Sequence, residues 1–202
     1  MSPAYKFTAP GTFVNPRTVY KSMLVGNATF FAGSYESIAT VTSTGSSGNL
    51  VFSSIPGTYT HLQIRGILRT NDTGTFNNTA LRFNSDATSS YAFHTLSGNG
   101  TTASASANNS FTKINDFMRA ASDSLASGIF SVAVIDILDY ANTNKYKTMR
   151  VLQGGDSNGS GIVGLNSGLW MKTDAITTIT IEPSGGTAIT NSTFALYGIK
   201  VA

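Results

Sequence analysis

Hydrophobic and polar positions alternate along most of this chain, in short runs cut apart by Gly, Ser, Thr and Asn. In Thr60–Thr70, Leu62, Ile64, Gly66 and Leu68 fall on one side of an extended backbone. His61, Gln63, Arg65 and Arg69 fall on the other, with Ile67 as the exception. A period of two over this length predicts a half-buried antiparallel strand. Tyr35–Ser43 and Asn49–Ser54 flank TGSSG, which reads as a hairpin loop, and Pro56-Gly57 marks the next turn. Thr79–Asn84 and Ser90–Ser97 are shorter strands, and Gly98–Ser110 reads as a long polar loop.

In Phe111–Ala121 the apolar residues Phe111, Ile114, Phe117 and Met118 have helical spacing, so a helical turn is expected there, with a strand from Ser110 as the alternative. Gly128–Ala141 is apolar on both alternating sets, which predicts a central strand covered on both faces, with Val132, Val134 and Ile135 all buried. Lys145–Leu152, Ile162–Met171, Ala175–Pro183 and Ser192–Ala202 complete about ten strands. The expected fold is all-β: a two-sheet antiparallel sandwich, jelly-roll-like or Greek-key, over residues 35–202.

Residues 1–34 break this pattern. Pro3, Pro10 and Pro16 are three of the five prolines, and Tyr5, Phe7, Phe13 and Tyr20 are interleaved with them. Proline without a sustained period favours an extended segment. Its apolar content exceeds that of a flexible linker, and the entropy of ordering it needs surface from another chain, or from its own sandwich if the arm folds back, to offset it. The expectation is an anchoring arm whose contacts are Tyr5, Phe7, Phe13 and Tyr20, with Lys6, Arg17 and Lys21 around them.

Charge sharpens this division. Charged residues make up 11% of the chain, against about 25% in an ordinary globular protein. Ser, Thr, Asn and Gly replace them, a composition common outside cells and on virus particles. The net charge of +3 is carried by Lys6, Arg17 and Lys21, so the remainder is neutral. No basic stripe suited to nucleic acid is present, and no apolar run approaches the ~20 residues of a membrane span. The absence of cysteine removes disulfides and thiolate metal sites.

Candidate chemistry is thin. Gly155-Asp156-Ser157-Asn158-Gly159 matches G-x-S-x-G, but a strand-like run follows where a nucleophile elbow needs a helix. His61 and His94 lack any metal-ligand spacing. Asp136 and Asp139 point to opposite faces of one strand, and Glu36 and Glu182 are the only glutamates, so a carboxylate pair is not expected. Asp156, Ser157, Asn158 and Ser160 offer oxygens without a calcium-loop spacing. Trp170, Tyr59, Tyr91, Tyr140 and Tyr146 are candidates for a sugar-stacking platform, with core filling as the alternative. The expectation is a non-enzymatic protein without cofactor or metal.

Three phrases carry a resemblance: SYESIATVT with FSSIPGTYTHLQIRG, then VIDILDYANTNKYKTMR, then FALYGIKVA. Together they resemble small β-sandwich structural proteins, and modules of larger fibre proteins, of tailed bacteriophages of aquatic bacteria, cyanophages included. The similarity runs from about Ser34 to Ala202 and carries no catalytic residues. It implies a virion-surface protein, a capsid decoration (cement) protein or a tail or neck fibre component. The implied partners are other virion proteins and further copies of itself, a trimer foremost. A host glycan is the alternative ligand.

Overall fold

The structure is a computed structural model, and it describes residues 34–45 and 48–201. Residues 1–33 lie outside the described residues, and with them the arm positions Tyr5, Lys6, Phe7, Phe13, Arg17, Tyr20 and Lys21. The described residues form twelve strands and no helix. They are β1 (Tyr35–Thr42), β2 (Leu50–Phe52), β3 (His61–Leu68), β4 (Phe76–Phe83), β5 (Tyr91–Gly98) and β6 (Ala103–Phe111). There follow β7 (Ile114–Ala121), β8 (Ser131–Leu138), β9 (Lys147–Asp156), β10 (Gly161–Trp170), β11 (Ile179–Pro183) and β12 (Thr193–Ile199).

The strands make two antiparallel sheets, as the alternation predicts. One has eight strands in the order β1-β12-β3-β8-β9-β10-β5-β6, the other four in the order β2-β11-β4-β7. The core lies between them. Leu62 and Ile64 of β3, Ile135 and Ile137 of β8, Val151 of β9 and Leu196 of β12 face Leu81, Phe83, Phe117, Ile179 and Ile181. β3 and β12 close tightly because Gly66 is paired with Phe194, whose ring occupies the space a Cβ would need. Trp170 and Tyr91 stack with centroids 6.3 Å apart beneath Phe83. The Trp170 indole N–H donates to Asp86 at 2.7 Å, and the Tyr91 hydroxyl donates to the Phe83 carbonyl at 3.1 Å. Their polar atoms are thus satisfied inside the core, as burial requires.

Several expectations are corrected. TGSSG does not close a hairpin: β1 pairs with β12 and β2 with β11, so the chain crosses between sheets there. Gly98–Ser110 is not a loop, since most of it is β6, the outermost strand. It lies exposed on both faces, and without a core beside it the segment has no large apolar residues to reveal a strand. Phe111–Ala121 is not helical but contains β7. Its pairing with β4 slips between Thr79 and Leu81, which leaves extra residues on β7 with Asp116 at φ 56. A bulge resets the alternation, so Ile114, Phe117 and Met118 are all buried with a spacing that imitates a helix.

Arg69 also leaves its expected solvent face. It is buried, and its guanidinium donates to the carbonyls of Leu125, Ala126 and Ile129 at 2.8–3.1 Å. Finally, β8 is covered on one face only. Ile135 is buried, but Val134 is half-buried and Val132 is 52% exposed.

Candidate interaction face

The outer face of the eight-stranded sheet is the side not packed on the second sheet. Its register lines side chains up in rows across the strands. One row runs Val134, Leu152, Leu165, Leu96 and Ala105, from β8 through β9, β10 and β5 to β6. The next runs Ile67, Val132, Gly154, Val163, Gly98 and Ala103. Leu152 is 60% and Val163 59% exposed. Scattered apolar side chains are ordinary at a surface, but adjacent rows of them over several strands form a patch, and patches mark interaction sites.

The face is built against the usual polarity rule. In β10 the outward residues include Val163 and Leu165, while the buried ones are Gly164, Asn166, Gly168 and Trp170. The reason lies in the packing beneath. A Cβ at Gly168 would stand 2.6 Å from Ile114 Cδ1 and 2.8 Å from Met149 Cγ, and one at Gly164 would stand 2.7 Å from Gln153 Nε2. Side chains of the neighbouring β9, Gln153 and Met149, together with Ile114 of β7, fill the space beneath these positions, so Gly164 and Gly168 must be small. Nothing internal requires the outer positions to be large and apolar.

Gly154 and Gly98 differ from these. A Cβ at Gly154 would meet its nearest neighbour at 3.6 Å, and one at Gly98 at 3.9 Å, both ordinary contacts. Glycine inside a strand weakens it by roughly 0.5–1 kcal/mol relative to alanine. Internal packing does not repay that loss at these positions. Both glycines line a depression of about 750 Å³, in which Gly154 lies between Val132 and Val163, Gly98 lies beyond Val163, and Asn99, Asp156 and Ser160 also contribute. Strand glycines mark a bulge, a bend or a place where a ligand or another backbone approaches closely.

Elsewhere on the outer face, a polar network links Tyr35 of β1, Gln63 and Arg65 of β3, Asp136 of β8 and Arg150 of β9. Tyr35 and Tyr197 stack at 4.8 Å, and the Arg65 guanidinium lies 5.7 Å from the Tyr35 ring centroid. The Tyr35 hydroxyl donates to Gln63 Oε1 at 2.7 Å, and Arg65 Nε donates to the same oxygen at 2.8 Å. Gln63 Nε2 donates to Asp136 at 2.7 Å, and Arg150 pairs with Asp136 at 3.0 Å. Desolvation pushes the Tyr35 hydroxyl above its ordinary pKa, with Arg65 opposing it.

The sequence-based candidates do not converge. Ser157 lies in the turn between β9 and β10, where its N–H donates to the Ser160 carbonyl at 2.6 Å and the chain returns as a strand. His61 and His94 sit on β3 and β5, four strand spacings apart, roughly 19 Å at about 4.8 Å each. The Asp139 N–H donates to His61 Nδ1 at 3.0 Å. Lys145 holds the Asp139 carboxyl below its ordinary range, so this side chain pairs with a lysine and does not cap the turn. Glu36 pairs with Lys200 at 3.1 Å, and Glu182 with Arg82 and Lys113 at 2.8 and 3.1 Å.

Trp170, Tyr91 and Tyr140 are core residues, Tyr59 lies partly buried beside Lys200, and Tyr146 alone of the five candidates is largely exposed, at 54%, so they form no platform. Among the described residues no three His, Cys, Asp or Glu side chains gather in a metal-binding group. The exposed rows were missed because apolar alternation was read as burial. The inverted β10 pattern, with Gly and Asn alternating against Val and Leu, was the signal available. No family model, curated protein or solved structure matches this chain.

Proposed function

We propose that the protein is a non-enzymatic structural component of a tailed-bacteriophage virion, carried on the particle exterior. Capsid decoration is favoured over a tail or neck fibre role. The leading segment, with Tyr5, Phe7, Phe13 and Tyr20 as apolar anchors, supplies attachment to other virion proteins. The sandwich contributes its open sheet face. The observation that carries this reading is the pair of apolar rows with the glycine-lined depression beside Val132 and Val163, a surface made to be covered. The low charge and the phage-like phrases agree with it.

The test is copy number in purified particles, measured by quantitative mass spectrometry. Hundreds of copies support decoration, a dozen or fewer support tail or neck, and none ends the reading. Particles lacking the protein can then be incubated with the full chain or with a chain beginning at Phe31. Equal occupancy would move attachment from the leading segment to the sandwich.

Glycan recognition is the second reading, favoured by the Tyr35–Tyr197 stack with Gln63, Arg65 and Asp136 beside it. It predicts a glycan-array signal that Tyr197→Ala abolishes.

A further inference from the structure

The four edge strands of the two sheets are closed in different ways. β2 is three residues long. β1 carries Glu36 and a register break between Ser37 and Ala39. β7 carries Arg119, the left-handed Asp116 and the bulge opposite β4. Short length, charge and bulges are the devices that keep a sheet edge from pairing with another chain.

β6 has none of them over Ala103–Asn108. It pairs with β5 without a break from Gly98↔Ala103 to Phe93↔Asn108, and its irregularity lies beyond, near Ser110 at φ 57. It has no charged residue and no proline. Its outward N–H and C=O groups have no partner among the described residues, since β5 is its one neighbour. Such an edge is a template for a further strand.

We propose that β6 pairs antiparallel with β6 of a second copy about a two-fold axis normal to the sheet. Ala105 then lies opposite the partner's Ala105, and two eight-stranded sheets join into one. The residue pattern is self-complementary in this register. Ala103, Ala105 and Ala107 share the outer face, and Ser104 and Ser106 share the other. Alanine therefore meets alanine, and serine meets serine, as Ser97 and Ser104 already do within the chain at 3.0 Å. Leu96 lies opposite Ala105, so the Val134–Leu152–Leu165–Leu96 row of each copy ends on the axis, and the two rows become one line. With the other three edges blunted, pairing stops at two copies, a closed isologous dimer. This assembly does not depend on where the protein is carried.

Sedimentation of the full-length protein over a concentration series should show a reversible monomer–dimer equilibrium. Ala105→Lys sets like charges opposite each other and should raise the dissociation constant by up to about fivefold. The double variant A103K/A107E places opposite charges across the axis and should dimerise, whereas A103K/A107K should not. All these positions are exposed, so melting curves should match the native chain at concentrations low enough to keep both monomeric. Because the chain has no cysteine, A105C should give disulfide-linked dimers on mild oxidation, the two Cα atoms lying in the roughly 4.4–6.8 Å range a disulfide needs. V132C, away from the edge, should give no disulfide-linked dimer. A native chain that is monomeric up to about 1 mM overturns the proposal, as does a dimer indifferent to Ala105→Lys. Equal behaviour of A103K/A107E and A103K/A107K would also overturn it.

Discussion

The two faces of β10 carry similar backbones and opposite fates. On the inner face Gly164, Asn166, Gly168 and Trp170 are buried. On the outer face Val163, Leu165 and Ser167 meet solvent. Residue type alone would assign the faces the other way round. What decides is the packing beneath: Gln153 and Met149 of β9 and Ile114 of β7 fill the space that side chains at Gly164 and Gly168 would need. β8 shows the same contrast with apolar residues on both sides, Ile135 enclosed and Val132 open. Burial is set by what packs opposite a face, and the apolar residues of the uncovered face stay exposed.

Substitution on either side of β8 should break this comparison most strongly. Ile135→Asp places a carboxylate without a partner in the core, at a cost of several kcal/mol, comparable to a whole domain's stability of about 5–15 kcal/mol. The variant should be unfolded or insoluble. Val134→Asp, one residue along on the open face, should fold with a stability within about 1 kcal/mol of native. Equal damage by both, seen in urea unfolding, would mean that the outer face is covered in the monomer.

A smaller difference is expected between two glycines. Gly168→Ala forces a methyl against Ile114 and Met149 and should cost roughly 1–3 kcal/mol through overpacking. Gly154→Ala meets ordinary contacts and should leave stability unchanged or raise it by up to about 1 kcal/mol. Thermal melts of the two variants measure the sign directly.

The carboxylates at the rim of the core give a pH signature. Burial by itself would raise the Asp86 pKa, but hydrogen bonds from Ser90, Thr88 and Trp170 reverse this and hold it far below the ordinary range. Glu182 is likewise lowered overall, Arg82 and Lys113 outweighing its burial. A carboxyl whose folded pKa is depressed contributes stability above its unfolded value, about 4, and that contribution is lost as pH falls toward the folded value. Urea midpoints should therefore be flat for these groups above about pH 5 and fall below it, with a shallower fall in Asp86→Asn.

The smallest effect on the isolated protein should come from Leu152→Ser and Leu165→Ser. Both side chains are exposed, so melting should hardly move. If the outer face docks on a particle, occupancy should drop in the same variants. Unchanged occupancy would confine the apolar rows to a solvent role.

Much of the fold was legible along the chain. β3 and β12 show clean period-two burial, and the apolar runs of β8 and the lysine-flanked start of β9 fall where strands were expected. β6 and β7 were not legible, for different reasons. β6 has no core beside it, so selection for apolar contrast is absent. β7 contains a bulge, which changes the spacing of its buried residues from two to three and then one. The interaction face was hidden by the same logic. An apolar residue announces that it avoids water, but not which neighbour covers it.

The sequence by itself determined that this chain is all-β, low in charge, neutral after its leading segment, and divided into short antiparallel strands. Those properties follow from local alternation, turn residues and composition, which act over a few residues. Only the tertiary structure decided that four strands pack on eight, that Val132, Leu152, Val163, Leu165 and Leu96 share an open face, and that β6 ends the sheet without protection. These depend on the pairing of residues far apart in the chain, Val41 with Phe194 or Arg69 with Ala126. Long-range register, which no local pattern encodes, turns strands with two possible faces into a sheet with one face committed to the core.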